Sequence, residues 1–338
     1  MIPGTHALRQ MPTWQRELAR TINDPAELLA VLGLGMDDLP AAQAAARLFG
    51  LRVPRGFVAR MRPKDPGDPL LRQVLPLGDE CLATAGFNQD PVGDRVAMVT
   101  PGVLHKYQGR VLLMVTGACA VHCRYCFRRH FPYHDANPSA NHWREALDYI
   151  AADDSIDEVI LSGGDPLVLS DRRLAAFAES LAEIPHVKRL RLHTRLPIVV
   201  PERVNEELLA WLGATRLAPI MVVHANHANE IDAAVRAGFA RLKKGGVILL
   251  NQSVLLRGVN DNVDALCSLN KTLFDAGVLP YYLHLLDKIQ GAAHFEVDEG
   301  TARRLHAELN ARLPGYLVSR LVREVPGMPG KIPLSIEE

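Results

Sequence analysis

The 338-residue sequence predicts an α/β fold: a partial, open barrel of six βα units, preceded by a mainly helical extension and followed by a short segment that closes the site. Two observations lead there. Apolar, β-branched runs recur at 111–116, 158–162, 189–194, 219–224, 247–254 and 281–286. Helical patterns fill the intervals near 142–152, 171–183, 203–212, 228–241 and 262–276, with another near 300–311. Strands alternating with helices of that length form βαβ units around a parallel sheet. Six units suit an open barrel better than a closed eight-stranded one, and a doubly wound open sheet is the second choice. Either architecture gathers its ligands at the C-terminal ends of the strands.

The elements divide the chain into an N-terminal extension (1–100), the barrel (101–315) and a C-terminal segment (316–338). Within the extension, short helices are expected at 13–20, 24–32 and 40–49. Asp24 before Pro25 offers a capping acceptor and a ring that suits the first helical turn. Gly33 and Gly50 follow apolar stretches and suit C-caps. Residues 52–70 are rich in Pro, Gly, Arg and Asp and read as a long connection. No repeat of solenoid period and no low-complexity run interrupts the chain.

Composition narrows the function. Hydrophobic residues are 48% and charged residues 22% of the chain, the balance of a globular protein. Lys+Arg and Asp+Glu are both 38, so no net field draws the chain to nucleic acid or an anionic membrane. No apolar stretch reaches the roughly 18 residues of a span. The start, MIPGTHALRQMP, lacks the features of a signal peptide, so a cytoplasmic location is expected.

Five cysteines, Cys81, Cys119, Cys123, Cys126 and Cys267, do not suggest a disulfide framework. Three fall in C-x3-C-x2-C spacing on the loop after the first barrel strand. Soft thiolates there suit zinc or iron–sulfur. A structural zinc site wants four ligands, which His122 or a distant cysteine would have to complete. A [4Fe–4S] cluster on three cysteines keeps one iron open for a cosubstrate. The bland alternative is three packed thiols. After the second strand comes Ser162-Gly163-Gly164-Asp165-Pro166, where paired glycines permit close backbone approach; a simple βα turn with Asp165 or Ser170 starting the next helix is the plainer reading. Two further polar stretches follow strand ends, His224–Glu230 (HANHANE) and Asn251–Asp261 (NQSVLLRGVND); Asn251 and Gln252 could be structural only.

The cysteine spacing after the first of six strands resembles the radical S-adenosylmethionine (SAM) superfamily. The stretches HKYQGRVLLMVTGAC, CRYCFRRHF, SGGDPL, HANHANE, NQSVLLRGVND, LLDKIQGAAHF and PGMPGK, from about 105 to 331, resemble one branch, the lysine 2,3-aminomutases. The resemblance implies a partial (β/α)6 barrel of the radical SAM type. It implies a [4Fe–4S] cluster on Cys119, Cys123 and Cys126, with SAM bound by Tyr125, Ser162, Gly163, Gly164, Asp165, His224 and Gln252. It also implies pyridoxal phosphate (PLP) carried covalently by Lys331, with Lys106, Tyr107 and Arg110 near its phosphate. Lys106 stands where the family has Arg, which would reduce bidentate phosphate binding. Lys331 read alone is an exposed tail lysine, and its flanking Gly and Pro could instead fix a turn that presents it.

The substrate implied is L-lysine. Arg128 would hold its carboxylate, and Asp287 its distal ammonium, with Glu324 in place of a second family aspartate. The implied chemistry is SAM cleavage to a 5′-deoxyadenosyl radical, hydrogen removal from Cβ, migration of nitrogen from Cα to Cβ, and return of the hydrogen to give β-lysine. The chain has no zinc-binding cysteines after Lys331, as the longer members do. It resembles the short members that make (R)-β-lysine for attachment to elongation factor P. That implies a separate ligase as downstream partner and a flavodoxin-like electron donor, leaves a homo-oligomer open, and leaves nucleic acid and membrane out. Rivals are a radical SAM enzyme without PLP acting on peptide or RNA, a glutamate-specific aminomutase, and a zinc-bound interaction module.

Overall fold

The computed structural model describes residues 11–133 and 140–334. The first ten residues, most of the opening stretch without signal-peptide features, and the last four of the C-terminal segment lie outside the described residues. Ten strands form one sheet: β1 (Met98–Thr100), β2 (Val103–Tyr107), β3 (Arg110–Thr116), β4 (Glu158–Gly163), β5 (Arg189–Thr194), β6 (Ala218–Val223), β7 (Ile248–Val254), β8 (Leu279–His284), β9 (Arg320–Arg323) and β10 (Ile332–Pro333). They lie side by side in chain order. β3 to β9 run parallel, while β1 and β2 at one edge and β10 at the other are antiparallel to their neighbours.

The six expected strands are β3 to β8. The expected count is too small for the sheet as a whole, because β9 adds a seventh parallel strand and β1, β2 and β10 extend the edges. These four are two to five residues long, too short to carry a period. The strand order never reverses. Crossovers of one hand then place every helix on the same face, which bends the sheet into a barrel wall. A doubly wound sheet needs a reversal, so that second choice falls away.

Alternation along the strands separates two environments. Val111, Leu113 and Val115 of β3, Val159 and Leu161 of β4, and Leu190 and Leu192 of β5 enter the main core beneath the helices. The intervening Glu158, Ile160, Ser162, Arg191 and His193 line a cavity on the other face. A closed barrel fills that interior with apolar layers; here charged and polar side chains share the lining with apolar ones and leave a cavity.

Asp24 caps its helix by accepting from the Ala26 N–H, and Gly33 ends it at φ 64°. Gly50 is not a C-cap: extended Phe49 ends helix Leu39–Leu48. Residues 52–70 are more than a connection, since they hold one-turn helices Arg55–Val58 and Pro69–Arg72, the second capped by Asp68. The helix expected at 228–241 is a 3-10 turn, Ala228–Glu230, followed by helix Ala233–Lys244 under an Asp232 cap. The 203–212 helix begins at Glu206, where the Asn205 side chain accepts from Leu208 N–H. The Ser170 side chain makes no capping bond.

Candidate active site

The loop after β3 has no regular structure of its own, so side chains from the extension hold it. Arg124 is fully buried and donates to both Glu80 oxygens, at 2.8 and 2.5 Å, and to the Phe49 carbonyl at 2.7 Å. Arg129 donates to Glu80 Oε2 at 2.8 Å. The Arg124 N–H donates to the Gln73 carbonyl. His122 Nδ1 sits 2.8 Å from the Gly50 carbonyl, and its ring stacks on Phe49.

Cys119, Cys123 and Cys126 line a cavity of about 540 Å³ at the C-terminal ends of the strands. Burial, and then the neighbouring thiols, push Cys119 well above the ordinary thiol range and Cys126 up to about 11. Such thiols ionise at neutral pH only with a metal to take the charge. Among the described residues no three His, Cys, Asp or Glu side chains converge tightly enough for a single ion. A four-iron cluster takes each thiolate on a separate iron, so it asks for a more open triad.

The paired glycines bring β4 against this loop. A Cβ on Gly163 would lie 2.5 Å from the Thr116 carbonyl oxygen, and one on Gly164 2.1 Å from that of Ala118. The backbone they admit is thus the chain's own, carrying Cys119. Asp165 spends its carboxylate locally. It accepts from Leu167 N–H, Thr194 Oγ1, Arg195 N–H and Leu196 N–H.

Behind the cysteines lies a buried polar network. The Tyr125 hydroxyl meets His224 Nε2 at 2.9 Å and accepts from Asn226 at 2.7 Å, and its ring stacks on His224. Burial and the Arg195 charge bring His224 down to about 3, so its ring is neutral. Glu230 accepts from Gln73, Arg195 and the Asn226 and His227 N–H groups. Asn251 is structural, bonding Ala225 through both its carbonyl and its amide, whereas Gln252 faces the cavity.

The opposite wall is a chain of alternating charges. Lys331 Nζ lies 2.5 Å from Glu324, Glu324 3.0 Å from Lys106, and Lys106 2.6 Å from Asp94. Asp94 accepts from Arg128 at 2.6 Å, and Arg128 donates to Ser162 Oγ at 3.2 Å. Burial would raise the Glu324 pKa, but the two lysines outweigh it and pull the group down to about 2. Asp287 goes the other way: burial, then Glu324, push it up to about 7. Among the described residues Asp287 has no ion-pair partner. Nor has Arg110, whose guanidinium lies over the Tyr107 ring at 4.7 Å. Burial and Glu324 raise the Tyr107 phenol.

Every residue to which the family resemblance gives a role in binding cluster, SAM, PLP or substrate therefore lines this cavity, whereas Asn251, Cys81 and Cys267 do not. The sequence reading missed Arg195, Asp94, Glu80, Gln73 and His193. Arg195 and His193 sit at the C-terminal end of β5, where the strand-end rule could have found them. Asp94, Glu80 and Gln73 lie in a stretch without periodicity and carry no local signal.

The residues suit the groups the sequence implies. Three thiols without a fourth cysteine leave one cluster position for SAM. Buried Nε2 of His193 and Nε of Arg195 have no protein partner, as expected where a polar ligand completes a wall. Arg110, an amine on Lys331 and the lone Asp287 carboxylate answer a phosphate, an aldehyde and an ammonium.

The family model described as "Radical SAM superfamily" matches residues 113–268. The chain is 50% identical over 325 residues to the L-lysine 2,3-aminomutase of Escherichia coli (strain K12), covering 96% of this chain and 95% of that one. It is 47% identical over 332 residues to the protein of that name from Haemophilus influenzae, covering 98% of each. It is 32% identical over 323 residues to the one from Clostridium subterminale, covering 95% of this chain and 77% of that one. On this near-full-length identity, the chain belongs to the L-lysine 2,3-aminomutase family, isomerases of the radical SAM superfamily whose cofactors include a [4Fe–4S] cluster and SAM.

Proposed function

We propose that the protein converts L-α-lysine to β-lysine with PLP as an additional cofactor, and that the product is (R)-β-lysine for attachment to elongation factor P. The observation that carries the reading is the unbroken run of polar contacts Lys331–Glu324–Lys106–Asp94–Arg128–Ser162, which joins the lysine suited to PLP to the glycine turn beside the cysteines. When bound, the cluster and SAM supply hydrogen abstraction at carbon, and PLP supplies delocalisation for the migrating nitrogen.

The chain's own residues do the rest. Cys119, Cys123 and Cys126 hold the cluster. The Gly163–Gly164 backbone, Ser162, Tyr125, Asp165, His224 and Gln252 shape the SAM end. Lys331 binds PLP, and Lys106, Tyr107 and Arg110 face its phosphate. Arg128, aimed by Asp94, holds the lysine carboxylate. Asp287 and Glu324 receive the distal ammonium. Acidic groups at that end favour lysine over glutamate, because a second carboxylate there would meet like charge. The barrel wall screens the lumen on its strand side, which limits the approach of water to the reacting carbon.

The extension (1–100) caps the barrel (101–315), and the final segment (316–338) brings Lys331 to it. A flavodoxin-like donor supplies the electron and a separate ligase takes the product, both in the cytoplasm. No helix among the described residues is long and apolar enough to cross a membrane.

Anaerobic reconstitution with iron and sulfide, followed by PLP, SAM, dithionite and L-lysine, tests the reading. Chiral mass spectrometry should detect (R)-β-lysine, abolished in both Cys126→Ala and Lys331→Ala. Cleavage of SAM with lysine left unchanged would overturn the substrate. Full activity in Lys331→Ala would overturn the PLP reading.

A further inference from the structure

We propose that Arg195 sets the reduction potential of the cluster by donating an N–H to the Cys123 sulfur, as a positioning residue held in place by Glu230, Gln73 and Tyr125. The inference rests on the cluster reading of the three cysteines. It starts from a geometry that the substrate chemistry does not use. Arg195 follows β5 and is almost entirely buried, 5% exposed. Its Nη1 lies 2.8 Å from Cys123 Sγ and donates to the Tyr125 hydroxyl at 2.9 Å. Its Nη2 donates to Gln73 at 2.6 Å and to Glu230 at 3.0 Å. Its backbone N–H is fixed by Asp165 at 2.7 Å. The guanidinium also lies 5.3 Å over the Phe57 ring. The group cannot swing away without breaking several buried bonds at once.

One-electron reduction takes the cluster from its 2+ to its 1+ state, with the electron supplied by dithionite in the test below. The added negative charge spreads onto the sulfurs. A donor and a cation at a thiolate stabilise the reduced state more than the oxidised one, and so raise the potential. Burial strengthens the effect, because little water is present to screen it. Glu230 works in the opposite direction. It lies on the far nitrogen of the fork and is itself satisfied by the Asn226 and His227 N–H groups, which leaves the Nη1 dipole directed at sulfur.

The test is a redox titration of the reconstituted protein, without SAM or substrate, followed by electron paramagnetic resonance. Iron and sulfide content and a reduced-cluster signal in the unaltered protein check the cluster reading separately; their absence would sink both. Arg195→Gln should lower the reduced-to-oxidised ratio at a fixed poise by about tenfold or more, a negative shift of about 59 mV for one electron. Glu230→Gln should shift the potential in the positive direction. A loss of packing alone would not give shifts of opposite sign. If Arg195→Gln fails to retain iron, Arg195→Lys, which keeps charge but loses the fork, should still titrate more negative than the unaltered protein. Equal potentials across the variants that retain iron, or shifts of one sign, overturn the proposal.

Discussion

Asp287 and Glu324 line the same cavity, yet their carboxyls titrate in opposite directions. Glu324 has two ammonium partners, whereas Asp287 has burial and a like charge. An aspartate in an unfolded chain titrates near ~3.9. Between that value and about 7 the folded state binds more protons at Asp287 than the unfolded one. Stability therefore falls as pH rises across this window and levels off above it. Asp287→Asn removes the effect. In the protein without PLP, urea midpoints should show the variant gaining on the unaltered protein from about pH 4 to 7 and holding a constant lead above. A pH-independent difference would place the carboxyl in water. Glu324 behaves in the reverse sense: its contribution is present above the ordinary glutamate range and is lost as pH falls toward about 2.

At the scale of elements, the cysteine loop depends on a 3-10 turn, Gly78–Cys81, that lies outside the barrel. Glu80 from this turn meets Arg124 and Arg129, all three side chains within 1% of fully buried. Removing one partner of such a group leaves buried charge uncompensated, at a cost of about 3–5 kcal/mol. Glu80→Ala should lose about that much in urea unfolding and should retain less iron per chain after reconstitution. Unchanged iron content would mean that the loop holds its shape without the turn. The helices of the barrel need no such help, because each has its own cap or apolar face, and that is why their positions were legible from spacing. The edge strands were not. β9 and β10 are four and two residues long, too short for a period of two to show in the side-chain pattern.

For the molecule as a whole, extension and barrel share one core. Trp14, Ile22, Phe57, Leu70 and Leu71 are buried in the same cluster as Val115, Leu161, Leu192 and Val223 of the strands. A fragment of residues 101–338 would expose that apolar surface and lose the Glu80 contacts. It should be recovered mostly as aggregate, measured as the soluble fraction and by size-exclusion chromatography. A soluble, monodisperse fragment that binds iron would show that the extension is dispensable for folding.

The sequence by itself determined six βα units and marked the cysteine triad and the glycine turn, because each is written in residues a few positions apart, while Lys331 stood out only through the family resemblance. Spacing along a helix or strand is a local property, and so are a turn and a ligand loop. Tertiary structure alone decided which charges meet. Lys106 and Glu324 are 218 residues apart, Arg195 and Cys123 are 72 apart, and Arg124 and Glu80 are 44 apart. Asp94 lies in irregular chain and Glu80 in a single 3-10 turn, where no period announces them. They acquire a role only when folding removes water and sets each buried carboxylate between two cations, Asp94 between Lys106 and Arg128 and Glu80 between Arg124 and Arg129.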